Sequence, residues 1–122
     1  MPGPPSTHPV ARIAAVAAGG AAGTAARIGV GELLGPQAFP WATLIVNVVG
    51  SAVLGFLAVR LLHHAGTAGV AFGAVGALGA FTTFSAFVAE VDALAGSTAT
   101  VYIGASLLAG LAAARLGMQA AR

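Results

Sequence analysis

Four apolar stretches, each about the length of a membrane crossing, leave this chain almost no other way to fold. They run from about Val10 to Leu34, Trp41 to Leu62, Val70 to Ala95 and Thr100 to Leu116. A spanning helix needs roughly 20 predominantly apolar residues. Only 7% of the 122 residues are charged, and the mean hydropathy is +0.96. A soluble domain carries about 25% charged residues, and a small one leaves too much surface wet to hide this much apolar area. The connections carry turn formers: Gly35-Pro36-Gln37 with Pro40, His63-His64-Ala65-Gly66, and Gly96-Ser97. The proline-rich residues 1–9 read as a disordered tail, and residues 10–122 as one four-helix transmembrane domain. The first stretch reads as a spanning helix rather than a cleaved leader, because alanine and glycine make a weak apolar region. The fold class expected is therefore an all-α membrane protein.

Within the third stretch, Gly76 to Phe87 read Gly-Ala-Leu-Gly-Ala-Phe-Thr-Thr-Phe-Ser-Ala-Phe. Gly76 and Gly79 weaken a helix, and Thr82 and Thr83 lower its propensity further. In hydrocarbon, each freed backbone carbonyl needs a partner. A break there is tolerated where it is buried in protein or lines a cavity, so this segment points to a permeation or ion site.

The other helices carry small or polar residues at four-residue spacing, which places them on one face. These are Gly19, Gly23, Arg27 and Gly31; Thr43, Asn47, Ser51 and Gly55; and Tyr102, Ser106, Gly110 and Ala114. The glycines and alanines read as packing faces. Asn47 asks for more, since a mid-membrane carboxamide brings donors and an acceptor that must be met. Arg12, Arg60, Arg115 and Arg122 sit at segment ends, where arginine reaches to headgroups. Glu32, Glu90 and Asp92 also fall near segment ends. Arg27 lies deeper, where an arginine bonds backbone carbonyls or pairs with an acid.

Several chemistries are excluded. No cysteine is present, so there is no disulfide or thiolate metal site. The adjacent His63 and His64 are too few for a metal site. Ser, His and Asp are too scattered for a catalytic set, no phosphate-binding loop occurs, and no basic cluster marks a nucleic-acid partner. The chain does not read as an enzyme.

These residues resemble the CrcB/Fluc fluoride channels. The likeness rests on Gly19-Gly20-Ala21-Ala22-Gly23-Thr24-Ala25-Ala26-Arg27, on Thr43-Leu44-Ile45-Val46-Asn47-Val48-Val49-Gly50-Ser51, and on Gly76 to Phe87 with Glu90. The fourth helix matches at Tyr102 and Ser106. The resemblance implies two four-helix subunits packed antiparallel, with pores along their interface and the third helix broken at mid-membrane. It implies a sodium ion on the two-fold axis, held by the backbone carbonyls of Gly79 and Thr82. It also implies a fluoride path along Asn47, Phe84, Phe87, Thr43, Ser85 and Ser106. Fluoride is small and strongly hydrated, so N–H and O–H donors must replace its water, and positive ring edges can contact an anion. Ala86 stands where the family often has threonine and Gly110 where some members have a hydroxyl, which leaves the detailed pore lining open.

A small multidrug-type, proton-coupled exporter is the main alternative, and a structural or assembly protein a further one. The first requires a mid-membrane carboxylate, whereas Glu32 lies at a segment end. The second does not require Asn47 or a broken helix. Arginine bias places both termini in the cytoplasm. An antiparallel partner is then expected to be a related subunit of opposite charge bias rather than an inverted copy of this chain.

Overall fold

The structure, a computed structural model, describes residues 9–63 and 68–122. The expected tail, apart from Pro9, and the His64 to Gly66 connection lie outside the described residues. Five helices follow in order: α1 (Pro9–Leu34), α2 (Trp41–His63), α3 (Ala68–Phe81), α4 (Phe84–Ala93) and α5 (Gly96–Ala120). Among the described residues, four stretches are long and apolar enough to cross a membrane: Pro9–Leu34, Trp41–Leu61, Gly73–Ala93 and Gly96–Ala120. The third of these contains both the end of α3 and all of α4. The last span is longer than the expected Thr100–Leu116, because the chain reverses within Leu94 and Ala95. Both residues are extended (ψ 144° and 133°), and α5 begins immediately after them.

The helices associate as two pairs, α1 on α3 and α2 on α5, with slighter contact between the pairs. Glycine makes both pairings possible. A Cβ at Gly19 would strike the Gly73 carbonyl, one at Gly23 the Ala77 carbonyl, and one at Gly76 the Val16 carbonyl. In the second pair, Gly55 lies against the Ala114 carbonyl and Gly117 against the Ala52 carbonyl. Register increases together along both partners, so each pair is parallel. The expected small-residue faces on α2 and α5 meet in the same register, with Gly110 beside the Ser51 hydroxyl at 3.6 Å from its would-be Cβ. Gly31 has nothing within 4 Å and does not contribute to packing. Close backbone approach replaces a hydrophobic driving force here, since lipid is as apolar as the side chains. Accordingly Leu33, Leu108 and Leu111 face outward, while Val46 and Tyr102 are fully buried.

The connection between α1 and α2 is closed by Gly35 in the left-handed region (φ 63°), whose N–H caps the Gly31 carbonyl at 2.9 Å. This is the usual glycine stop of a helix. Glycine substitutions should therefore separate cleanly. Gly23→Val is expected to lower stability by about 1–3 kcal/mol through overpacking, read as a lower melting temperature in detergent. Gly29, with nothing within 4 Å, should tolerate alanine with unchanged or higher stability, since alanine is the better helix former by about 1 kcal/mol.

Candidate functional site

Helix α3 stops because its last turn is diverted. The Thr82 N–H and hydroxyl both bond the Leu78 carbonyl, at 2.9 and 2.8 Å. The next N–H, that of Thr83, would close a continuing helix onto the Gly79 carbonyl. It donates instead to Asn47 Oδ1 on α2 at 2.9 Å. Asn47 Nδ2 in turn donates to the Thr83 carbonyl at 3.1 Å. One carboxamide thus satisfies both backbone groups of the residue between the helices, as buried polar groups require. Thr83 is extended (φ −146°, ψ 120°) and its hydroxyl accepts from the Ala86 N–H at 3.1 Å, which makes it the N-cap of α4.

Three further contacts hold this region. Arg27 Nε on α1 donates to the Ala80 carbonyl at 3.1 Å, the backbone-carbonyl role expected of a deep arginine. Gly50 admits the Thr82 methyl group, which a Cβ would displace. On α4, Glu90 accepts from the Thr43 hydroxyl through Oε1 and from the Tyr102 hydroxyl through Oε2, each at 2.7 Å. Its carboxylate therefore ties α4 to both α2 and α5 by short charge-assisted bonds.

The residues expected along the path fall in distinct places. Thr43 is buried on the first turns of α2, and Asn47 is half-buried one turn further. Phe84 is 77% exposed, and its ring stacks on Phe87 at 5.8 Å and 30°. Ser85 is exposed, with its hydroxyl 3.3 Å from that of Thr83. Ser106 is half-buried on α5, one turn beyond Tyr102 and on the same face. Gly79 is exposed and Thr82 half-buried. An open groove of about 400 Å³ runs past the interruption, lined by Asn47, Ser51, Gly79, Thr82, Thr83 and Phe84 among others. On the other side of Thr83, a cavity of about 220 Å³ is lined by Arg27, Thr43, Val46 and Thr83.

Sequence reasoning did not assign three elements of this arrangement. Thr83 is the partner of Asn47 rather than a bystander, and its position immediately before Phe84 is the helix-start signal that marks it. The Glu90–Tyr102–Thr43 cluster joins residues 12 and 47 positions apart. Thr43 and Tyr102 head the two polar stripes, so their shared register is the trace left in the sequence. Phe39, in the connection before α2, packs on Tyr102 at 5.5 Å and 85°, and no periodic pattern covers it.

Residues 14–118 match the family described as "CrcB-like protein, Camphor Resistance (CrcB)". The chain is 44% identical over 112 residues to "Fluoride-specific ion channel FluC 1" of Rhodococcus jostii (strain RHA1), covering 88% of this chain and 83% of that protein. It is 56% identical over 50 residues to "Fluoride-specific ion channel FluC" of Nitrobacter winogradskyi, 38% of this chain and 39% of that protein. With "Fluoride-specific ion channel FluC 1" of Nitrobacter hamburgensis it shares 54% over 50 residues, again 38% and 39%. In those two matches the chain thus spans less than half of the relative's length. Four membrane-spanning stretches and this kinship make it a multi-pass protein of the cell membrane. A match over residues 14–118, joined to a relative matched along most of both chains, places this protein in the CrcB-like family.

Proposed function

We propose that this protein is a fluoride-selective channel through which fluoride leaves the cell passively, limiting its toxicity. The observation that carries the reading is the interruption at Thr82–Thr83, held by Asn47 and flanked by a largely apolar groove into which Asn47, Ser51, Thr82 and Thr83 bring polar groups, in a chain whose relatives are named fluoride-specific ion channels. A dry path for fluoride must replace hydration with donors. Asn47 commits one Nδ2 hydrogen to Thr83, and the second is the one offered to the ion. Thr43, Ser85 and Ser106 add hydroxyls, and Phe84 and Phe87 add positive ring edges. The Arg27 charge beside the Ala80 carbonyl favours an anion in the interior.

Activity in this proposal requires a second subunit packed antiparallel across the groove, with the interruption at the membrane centre. The exposure of Leu54 (56%), Val75 (64%) and Phe84 (77%) along that face supports such a cover. A sodium ion at the same interface is compatible with the carbonyls offered there. Diversion of the Thr83 N–H to Asn47 releases the Gly79 carbonyl, Gly79 is exposed with nothing within 4 Å of its would-be Cβ, and Thr82 lies beside it on the same groove. Uncharged, hard carbonyl oxygens suit a monovalent hard cation. Bound, the ion would tie the two subunits together and add positive charge near the path.

The partner is a related subunit of opposite charge bias. Arg12, Arg60, Arg115 and Arg122 lie at the α1 start, the α2 end and the α5 end, which share one side of a four-span chain. That bias places both termini in the cytoplasm and opposes insertion of an inverted copy.

Four measurements test this reading. Liposomes carrying the assembled protein should release fluoride without a proton gradient and retain chloride. Verified replacement of sodium by a large organic cation should reduce that flux, because an ion bound only by the assembled form stabilises it. Equal release of the two halides would reject the channel, and undiminished flux without sodium would reject the ion site. Asn47→Asp should abolish flux and lower the melting temperature, since it sets a carboxylate in the anion path and against the Thr83 carbonyl, which loses its donor. Phe84→Ile and Phe87→Ile should each slow it; wild-type rates in all three would remove these side chains from the path. A C-terminal topology reporter on this chain expressed alone should read the cytoplasmic side. Comparable populations facing both ways, with flux and no second gene product, would establish the inverted homodimer instead.

A further inference from the structure

The connection between α1 and α2 is exposed from Gly35 to Ala38 and then turns inward at Phe39. The turn is tight: the Trp41 N–H donates to the Phe39 carbonyl at 2.8 Å, and the Leu44 N–H to the Pro40 carbonyl at 3.1 Å. Phe39 thereby lands against Tyr102, ring to ring at 5.5 Å and near perpendicular. Trp41 also packs on it, ring to ring at 4.7 Å. Tyr102 is fully buried, and beyond it Phe87 follows at 5.2 Å and Phe84 at 5.8 Å. An unbroken column of rings therefore links a loop residue, through α5, to the two phenylalanines of α4.

The same column bears on the Glu90 cluster. Tyr102 can donate to Glu90 Oε2 only with its ring held in one orientation, and its ring is held between Phe39 and Phe87. Thr43, which occupies the other Glu90 oxygen, begins in the helix that Phe39 and Pro40 start. One short connection thus sets both hydroxyl donors of the carboxylate. Helix α4 has little other packing on its neighbours, so its placement rests largely on Glu90 and on the ring contacts. We propose that Phe39 is a positioning residue of the permeation path: its ring fixes Tyr102 against Phe87 and onto Glu90, and through them sets α4 with Phe84 and Phe87. This rests on the reading of the protein as a fluoride channel.

The chain has one tyrosine, so labelling it with 3-fluorotyrosine gives a single fluorine resonance that reports the Tyr102 ring without reference to flux. In the assembled, labelled protein, Phe39→Leu should broaden or shift that resonance, and Phe39→Trp, which keeps an aromatic ring and adds no second tyrosine, should leave it near its wild-type position. In the liposome assay, Phe39→Leu should slow fluoride release by about tenfold, a loss typical of a coupled contact. Added to Tyr102→Leu, which removes both the ring and the hydroxyl, it should cost no more than Tyr102→Leu alone. Phe39→Met replaces Phe39→Leu if that variant does not assemble. An unchanged resonance, or a double variant whose loss is the product of the two single losses, overturns the proposal. A wild-type protein that passes no fluoride sinks the channel reading instead, while the resonance still decides whether Phe39 holds Tyr102.

Discussion

The pair of hydrogen bonds between Asn47 and the backbone of Thr83 is what the rest of this architecture depends on. A helix that stops within an apolar span leaves an N–H and carbonyls without their helical partners, and away from water each unmet group costs several kcal/mol (~4–8 on a hydrocarbon scale). Asn47 meets both groups of Thr83 with one side chain. A carboxamide is suited to this task because it carries a donor and an acceptor in the spacing of a peptide unit, and no charge. With Thr83 held, its own hydroxyl caps α4, and the chain resumes as a helix after two residues.

The interruption also changes what the chain packs against. Helix α3 lies on α1 through Gly19, Gly23 and Gly76, where backbones touch. Helix α4 is tied to the other pair, through Glu90 to Thr43 of α2 and Tyr102 of α5. A continuous helix would carry one line of contacts, set by its axis, from end to end. Stopping at Phe81 and restarting at Phe84 lets the span leave the first pair and join the second. Arg27 and Asn47 hold the two sides of that transfer, one from each pair. Groups with chemistry are thereby concentrated around two residues, and the remainder of each helix is left to small side chains and lipid-facing apolar ones.

The two modes of packing differ in kind. Glycine against carbonyl sets distance along the helix pairs and tolerates little change, since a Cβ would strike backbone that has no alternative position. The polar cluster and ring column set orientation around α4, where few backbone contacts exist. Charge-assisted bonds at 2.7 Å define geometry closely where area alone would not.

Much of this was legible from residue order. The number of spans follows from apolar length against membrane thickness, and the weak point in the third from glycine and threonine propensities. The packing role of Gly19, Gly23 and Gly55 follows from four-residue spacing, because the helix period alone places such residues on one face. That Arg27 would take either a carbonyl or an acid follows from the cost of a buried charge, and the structure gives it the Ala80 carbonyl. Tertiary structure decided which partners these groups took. Spacing along a chain cannot bring Asn47 to Thr83, 36 residues away, nor Thr43 to Glu90, 47 away. It was equally silent on Phe39, since a lone aromatic in a connection has no period to betray it. Those meetings depend on two helix pairs coming together in one register, and register is a property of packed surfaces rather than of any single helix.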